Sequence, residues 1–233
     1  MTTRPPLATP FAALVFDFDG TLIDSVPDIT RVLNRTLAAF GRPPLAVDQV
    51  RTMVGDGSAT LVRSAFAATG GAPEGDEAQT VLKTYLDNYY EDTAEPSCFY
   101  PGVPETLRAF AAQGIKLGLC TNKPERIARK LLGLLGVADL FGAVAGGDTL
   151  PTRKPDPGTL AWVLEQLGER NAAMVGDNGH DVKVARAVGI PVVAVSYGYP
   201  RMPISELGAD AVIDHFADLP AALAALPTEK LAG

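Results

Sequence analysis

Two carboxylates of this chain are spaced in a way that suits chemistry. Asp17 and Asp19 follow the apolar run at residues 14–16, with one residue between them, and Gly20 comes next. Side chains alternate across a strand, so positions 17 and 19 face the same way at the end of a buried strand. Two acidic groups held together cost stability unless a cation or a proton relieves them. The pair therefore predicts a reactive loop that works with a cation or a transferred proton.

Polar side chains also follow three later apolar runs. They are Thr121, Asn122 and Lys123, then Lys154 beyond the glycine pair at 146–147, and then Asp177 with Asp181. A single acidic residue after a strand is usually a helix cap or a turn former. Four strand ends that carry carboxylates, a hydroxyl, an amide and two lysines instead predict one shared site. Ligands of parallel α/β sheets bind at that place, beyond the carboxyl ends of the strands.

The elements that must position these side chains alternate along the chain. Apolar runs lie at 12–16, 115–120, 143–145, 172–175, 192–195 and 211–213, and helical patterns lie at 104–113, 124–135, 157–167 and 181–188. Alternation of short strands with helices is typical of βαβ units around a parallel sheet. The sequence therefore predicts an α/β fold with a Rossmann-like parallel sheet as its core.

The segment between the first two runs breaks this alternation. From about residue 25 to residue 96 it has helical patterns and no convincing strand. One apolar stripe follows Ser25 and Pro27, which suit a helix start. The stripe consists of Ile29, Val32, Leu33, Leu37 and Phe40. We predict an inserted all-helical domain at 23–96, a core domain formed by 1–22 and 97–233, and hinges near 22–25 and 95–102.

The composition excludes several classes of protein. The 233 residues are 47% hydrophobic and 20% charged, which predicts a packed core rather than global disorder. A net charge of −7 argues against nucleic acid or an anionic membrane as the partner. The sequence has no run of about 18 apolar residues and only two cysteines, Cys98 and Cys120, and we expect neither a membrane-spanning helix nor a signal peptide. We expect a cytoplasmic protein that is a monomer or a homodimer.

The strand-end residues resemble the four motifs of the haloacid dehalogenase superfamily. In motif order they are 17–22 (Asp-Phe-Asp-Gly-Thr-Leu), Thr121-Asn122, Lys154-Pro155, and Gly176-Asp177 with Asp181. The helical insertion lies where that superfamily has a helical cap. The resemblance covers nearly the whole chain, and it implies the superfamily's core fold with an inserted cap domain.

The resemblance also implies a mechanism and a metal. Asp17 would attack phosphorus and become an aspartyl-phosphate, while Asp19 would act first as general acid and then as general base. Asp17, the backbone carbonyl of Asp19, and Asp177 would hold Mg²⁺, which prefers oxygen ligands. Asp181 is expected to support these ligands rather than to bind the metal itself.

A phosphate site is implied in the same way. Lys154 would act in catalysis by pairing with Asp17 and with the phosphoryl group. Thr121 and Asn122 would donate to phosphate oxygens, and Gly20 would complete the substrate-binding set. Preorganised donors of this type stabilise the charge that develops during phosphoryl transfer.

Two further stretches narrow the implied substrate. Residues 147–155 and 54–57 are similar to bacterial phosphoglycolate phosphatases, which implies hydrolysis of 2-phosphoglycolate. The alternatives are a phosphatase of another small phosphomonoester such as a sugar phosphate, a β-phosphoglucomutase-like phosphotransferase, and a binding protein on an inactive scaffold. In each enzymatic case the partner is a small phosphorylated metabolite. Arg51 and Arg63 flank the turn at 55–57 and could pair with a substrate carboxylate, or could be solvated helix charges.

Overall fold

The structure is a computed structural model that describes residues 9–92 and 98–226. The described strands are β1 (Ala13–Phe16), β2 (Ile23–Asp24), β3 (Cys98–Phe99), β4 (Lys116–Cys120), β5 (Phe141–Ala145), β6 (Ala172–Gly176), β7 (Val192–Val195) and β8 (Ala211–Ile213). The described α-helices are α1 (Val26–Ala39), α2 (Val47–Arg51), α3 (Ser58–Ala68), α4 (Gly75–Glu91), α5 (Val103–Ala112), α6 (Glu125–Leu134), α7 (Pro157–Leu167), α8 (Gly179–Val188) and α9 (Leu219–Ala225).

Six of these strands form one parallel sheet in the order β5-β4-β1-β6-β7-β8. Strand β1 lies inside the sheet, where Phe16 pairs with Leu119 of β4 and with Val175 of β6. All four residues of β1 are buried, which explains why its sequence is a continuous apolar run. The predicted α/β fold with a Rossmann-like parallel sheet is confirmed.

Helices cover both faces of the sheet, and the strand residues alternate between the two layers. Leu14 and Phe16 belong to one apolar cluster, which also contains Phe110 of α5. Ala13 and Val15 belong to a second cluster on the opposite face, which contains side chains of α7 and α8. This alternation is the period-2 geometry of a strand buried on both sides. Because all six strands are parallel, their carboxyl ends meet at one edge of the sheet.

Helices α1 to α4 follow one another between β2 and β3, and α1 packs against the other three. Four members of the predicted stripe, Ile29, Val32, Leu33 and Leu37, are buried in the first cluster. Helix α1 begins directly after Ser25, with Pro27 in its first turn. We call α1 to α4 the insertion helices. The prediction of helical structure without strands holds for the described residues from Val26 to Asp92.

Strands β2 and β3 are short and were not predicted from the sequence. They pair antiparallel to each other, with Ile23 opposite Phe99 and Asp24 opposite Cys98. The described parts of the two connections, at 23–24 and 98–99, therefore run side by side. The predicted domain boundary at 96/97 and the first part of the predicted hinge at 95–102 lie outside the described residues. The division into two domains stays a prediction.

The fit of α7 against β4 leads to a first prediction. A Cβ atom added at Gly118 in β4 would lie 2.6 Å from Cγ1 of Val163 in α7. Gly118→Ala should therefore lower the free energy of unfolding by about 1–3 kcal/mol through overpacking, measured by urea denaturation. Gly133 in α6 is the matched control because a Cβ there meets no atom within 4 Å. Gly133→Ala should raise stability by up to ~1 kcal/mol. A Gly118→Ala protein as stable as the parent would contradict this packing.

Candidate active site

A buried lysine links two carboxylates at the carboxyl edge of the sheet. Nζ of Lys154 lies 2.9 Å from Oδ1 of Asp17 and 2.7 Å from Oδ1 of Asp181. All three residues are buried, and they come from the end of β1, the loop after β5 and the first turn of α8. The backbone N–H of Phe18 also donates to Oδ1 of Asp17 at 2.7 Å. The structure thus brings together three residues that the sequence singled out.

The second oxygen of Asp181 binds the backbone. Its Oδ2 accepts from the N–H of Asp177 and from the N–H of Asn178, each at 3.1 Å. Such a close approach needs a glycine at the end of β6, because a Cβ on Gly176 would lie 2.2 Å from Cγ of Asp181. Both oxygens of Asp181 are therefore engaged by donors of the chain. This carboxylate positions Lys154 and the strand end, in agreement with a supporting role.

Asp177 is held by the loop after β7 and by the loop after β1. Its Oδ2 accepts from the backbone N–H of Tyr199 at 2.7 Å, and its Oδ1 accepts from the Thr21 hydroxyl at 3.3 Å. Gly20 has φ +84°, and a Cβ there would lie 2.4 Å from Oδ2 of Asp177. Gly198 approaches Asp177 as closely from the other side. The carboxylate is therefore fixed by backbone that only glycine allows.

The electrostatics of this cluster are dominated by burial. Burial raises the pKa of Asp17 to about 6; the nearby Asp181 adds to the rise, and Lys154 opposes it. Burial, with the charges of Asp17 and Asp181, also raises the pKa of Asp177 well above its usual range. Burial alone would lower the pKa of Lys154, but the two carboxylates that it contacts raise it instead. The lysine is therefore cationic, and the carboxylates carry more negative charge than it can offset.

The cluster has the donor chemistry of a divalent metal site. Oxygens of Asp17, Asp177 and Asp181 lie within 4.8 Å of one another, and all three residues are buried. Hard divalent cations take carboxylate and carbonyl oxygens as ligands. Asp181 and Asp177 each accept hydrogen bonds from three donors of the chain, and the assignment of Asp17 and Asp177 as the metal ligands stays a prediction. Ligation by the backbone carbonyl of Asp19 stays a prediction.

Asp19 lies on the other side of the site, beside a second buried lysine. Nζ of Lys123 donates to Oδ1 of Asp19 at 2.9 Å and to the hydroxyl of Tyr89 at 2.7 Å. Burial raises the pKa of Tyr89 well above 10, so its hydroxyl stays neutral and can accept from the ammonium. Tyr89 belongs to α4, one of the insertion helices. The sequence placed Lys123 at a strand end but gave no sign of these partners.

The two residues before Lys123 differ in what they can offer a ligand. Thr121 is buried and lines the cavity above Asp17. Asn122 lines it too, but its Nδ2 donates to the carbonyl oxygens of Gly55 at 3.0 Å and Lys154 at 3.1 Å. Its Oδ1 is buried and has no hydrogen-bond partner among the described residues. The side chain of Asn122 therefore offers a hydrogen-bond acceptor to a ligand. The predicted donation to phosphate would require its Nδ2 group to break one of its hydrogen bonds to the carbonyl oxygens of Gly55 and Lys154.

A cavity opens above these residues, between the sheet edge and the insertion helices. Asp17 and Asp19 form part of its floor. The insertion contributes a wall that is mostly apolar and aromatic. The residues of this wall are Ile29, Val54, Gly55, Gly57, Ser58, Leu61, Tyr85 and Tyr89. Such a wall lowers the exposure of the carboxylates below it to water, and the space that it leaves suits a small molecule.

The loop between α2 and α3 is held down over the site. Asp56 pairs with Arg201 and lies 2.6 Å from Nε2 of His180, while Arg201 also donates to the carbonyl oxygen of Val54 at 2.7 Å. The sequence gave no signal for Arg201, which follows β7 in an ordinary loop. The two arginines suggested as partners of a substrate do not line the cavity. Arg51 lies over the ring of Tyr199 instead, 5.2 Å from its centroid, and Arg63 is exposed.

A strand-end cluster of buried carboxylates and lysines beneath a small cavity suits an enzyme of the α/β class that binds a small ligand. The model of the family "Haloacid dehalogenase-like hydrolase" matches residues 14–195. A phosphoglycolate phosphatase from Rhodospirillum rubrum is 49% identical over 213 residues, which cover 89% of this chain and 88% of that protein. One from Caulobacter vibrioides is 39% identical, covering 93% and 92% of the two chains. The crystal structure of a predicted phosphoglycolate phosphatase from Haemophilus somnus superposes with a TM-score of 0.84 at 32% identity, covering 90% of this chain and 96% of that one.

The chain belongs to the haloacid dehalogenase-like hydrolases. Its relatives and its family identify it as a phosphoric monoester hydrolase that is similar to phosphoglycolate phosphatases. The resemblance drawn from the four strand-end motifs is confirmed. Among the helices at residues 9–92 and 98–226, none combines the length and the apolar character that crossing a membrane requires.

The raised pKa of Asp17 predicts how a divalent cation affects stability. The pKa is 3.8 as a reference value and about 6 in the folded chain, so without metal the free energy of unfolding falls as pH rises from about 4 to 6. A bound cation favours the ionised carboxylate, so stabilisation by MgCl₂ should grow over that window. We expect about 2 kcal/mol, or about 4–8 °C in Tm, near neutral pH and much less near pH 4.

Two variants control that measurement by differential scanning fluorimetry. Asp177→Asn should lose the shift, because it removes a carboxylate of the cluster. Asp87→Asn should keep it, because Asp87 is 52% exposed on α4. A shift of equal size in Asp177→Asn would rule out this cluster as the metal site.

Proposed function

We propose that this enzyme hydrolyses 2-phosphoglycolate to glycolate and phosphate, with Asp17 as the nucleophile and Mg²⁺ as the metal. The observation that carries the reaction type is the meeting of Asp17, Asp177 and Lys154 below a cavity that Asp19 also lines. The names of the relatives, which are 49% and 39% identical over most of the chain, support the substrate.

In the first half of this mechanism, an oxygen of Asp17 attacks phosphorus and the bond to the ester oxygen breaks. Lys154 and the N–H of Phe18 both bind Oδ1 of Asp17, so the carboxylate is fixed in orientation before the substrate arrives. Asp19 gives a proton to the departing alkoxide. General acid catalysis of this kind contributes typically ~10²–10⁴-fold.

The second half releases the phosphate. Asp19 takes a proton from a water molecule, the water attacks phosphorus, and the bond to Asp17 breaks. Lys154 stays beside the phosphoryl oxygens through both halves, with Thr121 as a further donor. The predicted contribution of Gly20 to substrate binding has no support, since its N–H donates to the carbonyl oxygen of Ile23 at 2.9 Å. A Mg²⁺ ion bound by Asp17, Asp177 and the carbonyl oxygen of Asp19 would offset the charge of the carboxylates and of the phosphoryl group.

We further propose that residues 23–96 form a cap domain that closes over the substrate. The antiparallel pairing of β2 with β3 supports this, since the two connections can bend together. The contacts of Asp56 with His180 and Arg201 would hold such a cap over the site. Closure would keep water from the carboxylates until the phosphoenzyme forms.

The role of Asp17 predicts the effect of removing its charge. Asp17→Asn keeps the shape of the side chain but removes the nucleophile, so kcat for phosphate release should fall at least ~10³-fold. Asp139→Asn is the matched control, since Asp139 is exposed in the turn Ala138–Leu140, and it should keep full activity. An unchanged rate of phosphate release in Asp17→Asn would disprove the mechanism. A loss of phosphate release in this variant would exclude the alternative that the protein is a binding protein on an inactive scaffold.

The substrate is tested with a panel of small phosphomonoesters in the presence of MgCl₂. We expect kcat/KM for 2-phosphoglycolate to exceed that for sugar phosphates by at least about tenfold, or about 1.4 kcal/mol. The small cavity, with no arginine among its lining residues at 9–92 and 98–226, disfavours a substrate with a second phosphate. A preference for sugar phosphates would overturn the substrate and leave the reaction class standing. A requirement for a sugar bisphosphate would indicate a mutase.

A further inference from the structure

Lys123 is the only cationic side chain among the described residues that line the cavity. We propose that its ammonium group binds a negative charge on the alcohol part of the substrate. Lys123 would thereby select phosphomonoesters of short hydroxy acids over phosphomonoesters of neutral alcohols. This inference rests on the proposed function, because it assumes that the ester oxygen leaves beside Asp19.

The side chain of Lys123 has capacity left for a ligand. It is 2% exposed, and its Nζ makes two hydrogen bonds among the described residues, to Asp19 and to Tyr89. An ammonium group has three N–H donors, so one remains. Because the group is buried, a bond from it to an anion is stronger than the same bond in water. A carboxylate that enters the cavity can therefore complete the set of partners around Nζ.

The position of Lys123 matches the part of the substrate that distinguishes hydroxy acids. Its Nζ lies 2.9 Å from Asp19, the proposed proton donor to the ester oxygen. A group that contacts this donor is next to the leaving alcohol. In a phosphorylated 2-hydroxy acid the carboxylate is attached to the carbon that bears the ester oxygen. Both groups of such a substrate would thus meet the Asp19–Lys123 pair at once.

A carboxylate on the substrate needs a positive group beside it in this cavity. Asp17 and Asp19 line the same cavity, so a carboxylate near them is repelled unless a positive group faces it. Apolar and aromatic side chains of the insertion helices form much of the wall, and they offer little compensation. A neutral alcohol has no such need. The start of α3, where Gly57 and Ser58 line the cavity, adds the positive end of an 11-residue helix to the same space.

The test compares two substrates that differ in one charge. They are 2-phosphoglycolate and 2-hydroxyethyl phosphate, in which a hydroxymethyl group replaces the carboxylate. In the parent enzyme kcat/KM should favour phosphoglycolate by about 10- to 100-fold, the range of one charge-assisted hydrogen bond. Lys123→Met, which keeps the length of the side chain, should reduce this ratio to within about threefold of unity, mainly through KM for phosphoglycolate. Lys123→Arg should restore a large part of it.

The ratio separates selection from a merely structural role. If Lys123 only orients Asp19, both substrates lose activity by the same factor in Lys123→Met, the ratio stays as in the parent, and the inference is wrong. Lys83→Met is the matched control, since Lys83 is 77% exposed on α4, and it should leave both values unchanged. A parent enzyme that hydrolyses both esters without discrimination would overturn the inference while the phosphatase mechanism stands. A parent enzyme inactive on both would refute the proposed function instead.

If Lys123→Met hydrolyses both esters too slowly for kcat/KM to be measured, ligand affinity provides the test instead. The probes are 3-phosphonopropionate and propylphosphonate, which replace the ester oxygen by carbon and differ in the carboxylate. Calorimetry with MgCl₂ present should give a Kd for 3-phosphonopropionate that is about 10-fold or more below that for propylphosphonate in the parent. The two Kd values should converge in Lys123→Met, provided that circular dichroism shows the parent fold. A difference that survives the substitution would assign the selection to another group.

Discussion

The site depends on one ammonium group placed among buried carboxylates. Lys154 contacts Asp17 and Asp181 directly, and Asp177 lies in the same cluster. Burying charge is expensive, and a buried pair is tolerated only when its remaining polar atoms are satisfied. Backbone N–H groups satisfy oxygens of both Asp181 and Asp177, but the single charge of Lys154 does not balance three buried carboxylates. This imbalance suits the cluster to a divalent cation and makes it an unfavourable arrangement for stability alone.

Close packing of backbone against carboxylate keeps this charge in place. Gly20, Gly176 and Gly198 each approach a carboxylate more closely than any residue with a Cβ could. At these positions the reason for glycine is contact rather than flexibility, although Gly20 also has a positive φ. The carboxylates are therefore rigidly placed before any ligand binds. Such preorganisation is a source of catalytic power in an electrostatic site.

The sequence predicted the parts of this structure that depend on local pattern. Apolar runs gave the six parallel strands, and the rule for strand ends gave Asp17, Lys154 and Asp177 as neighbours. It did not predict the β2–β3 pairing, because each strand has only two residues, too few to show the alternation of apolar and polar side chains that is typical of a strand. It also missed the partners of Lys123 and Arg201. Those contacts join the insertion helices or their loops to the core. They depend on how these two parts of the chain pack against each other, which local sequence patterns do not reveal.

The two lysines give Asp17 and Asp19 different surroundings. Asp17 and Asp19 are one residue apart, yet Lys154 holds the first and Lys123 the second. The partners of Asp17 described above come from the core alone. The partner of Asp19 is shared with Tyr89 of α4, so the surroundings of Asp19 include the insertion. A displacement of α4 would therefore alter the contacts of Asp19 and leave the Asp17–Lys154–Asp181 cluster intact. The fold thus separates a fixed cluster around Asp17, the proposed nucleophile, from the surroundings of Asp19, the proposed proton donor, which depend on the position of the insertion helices.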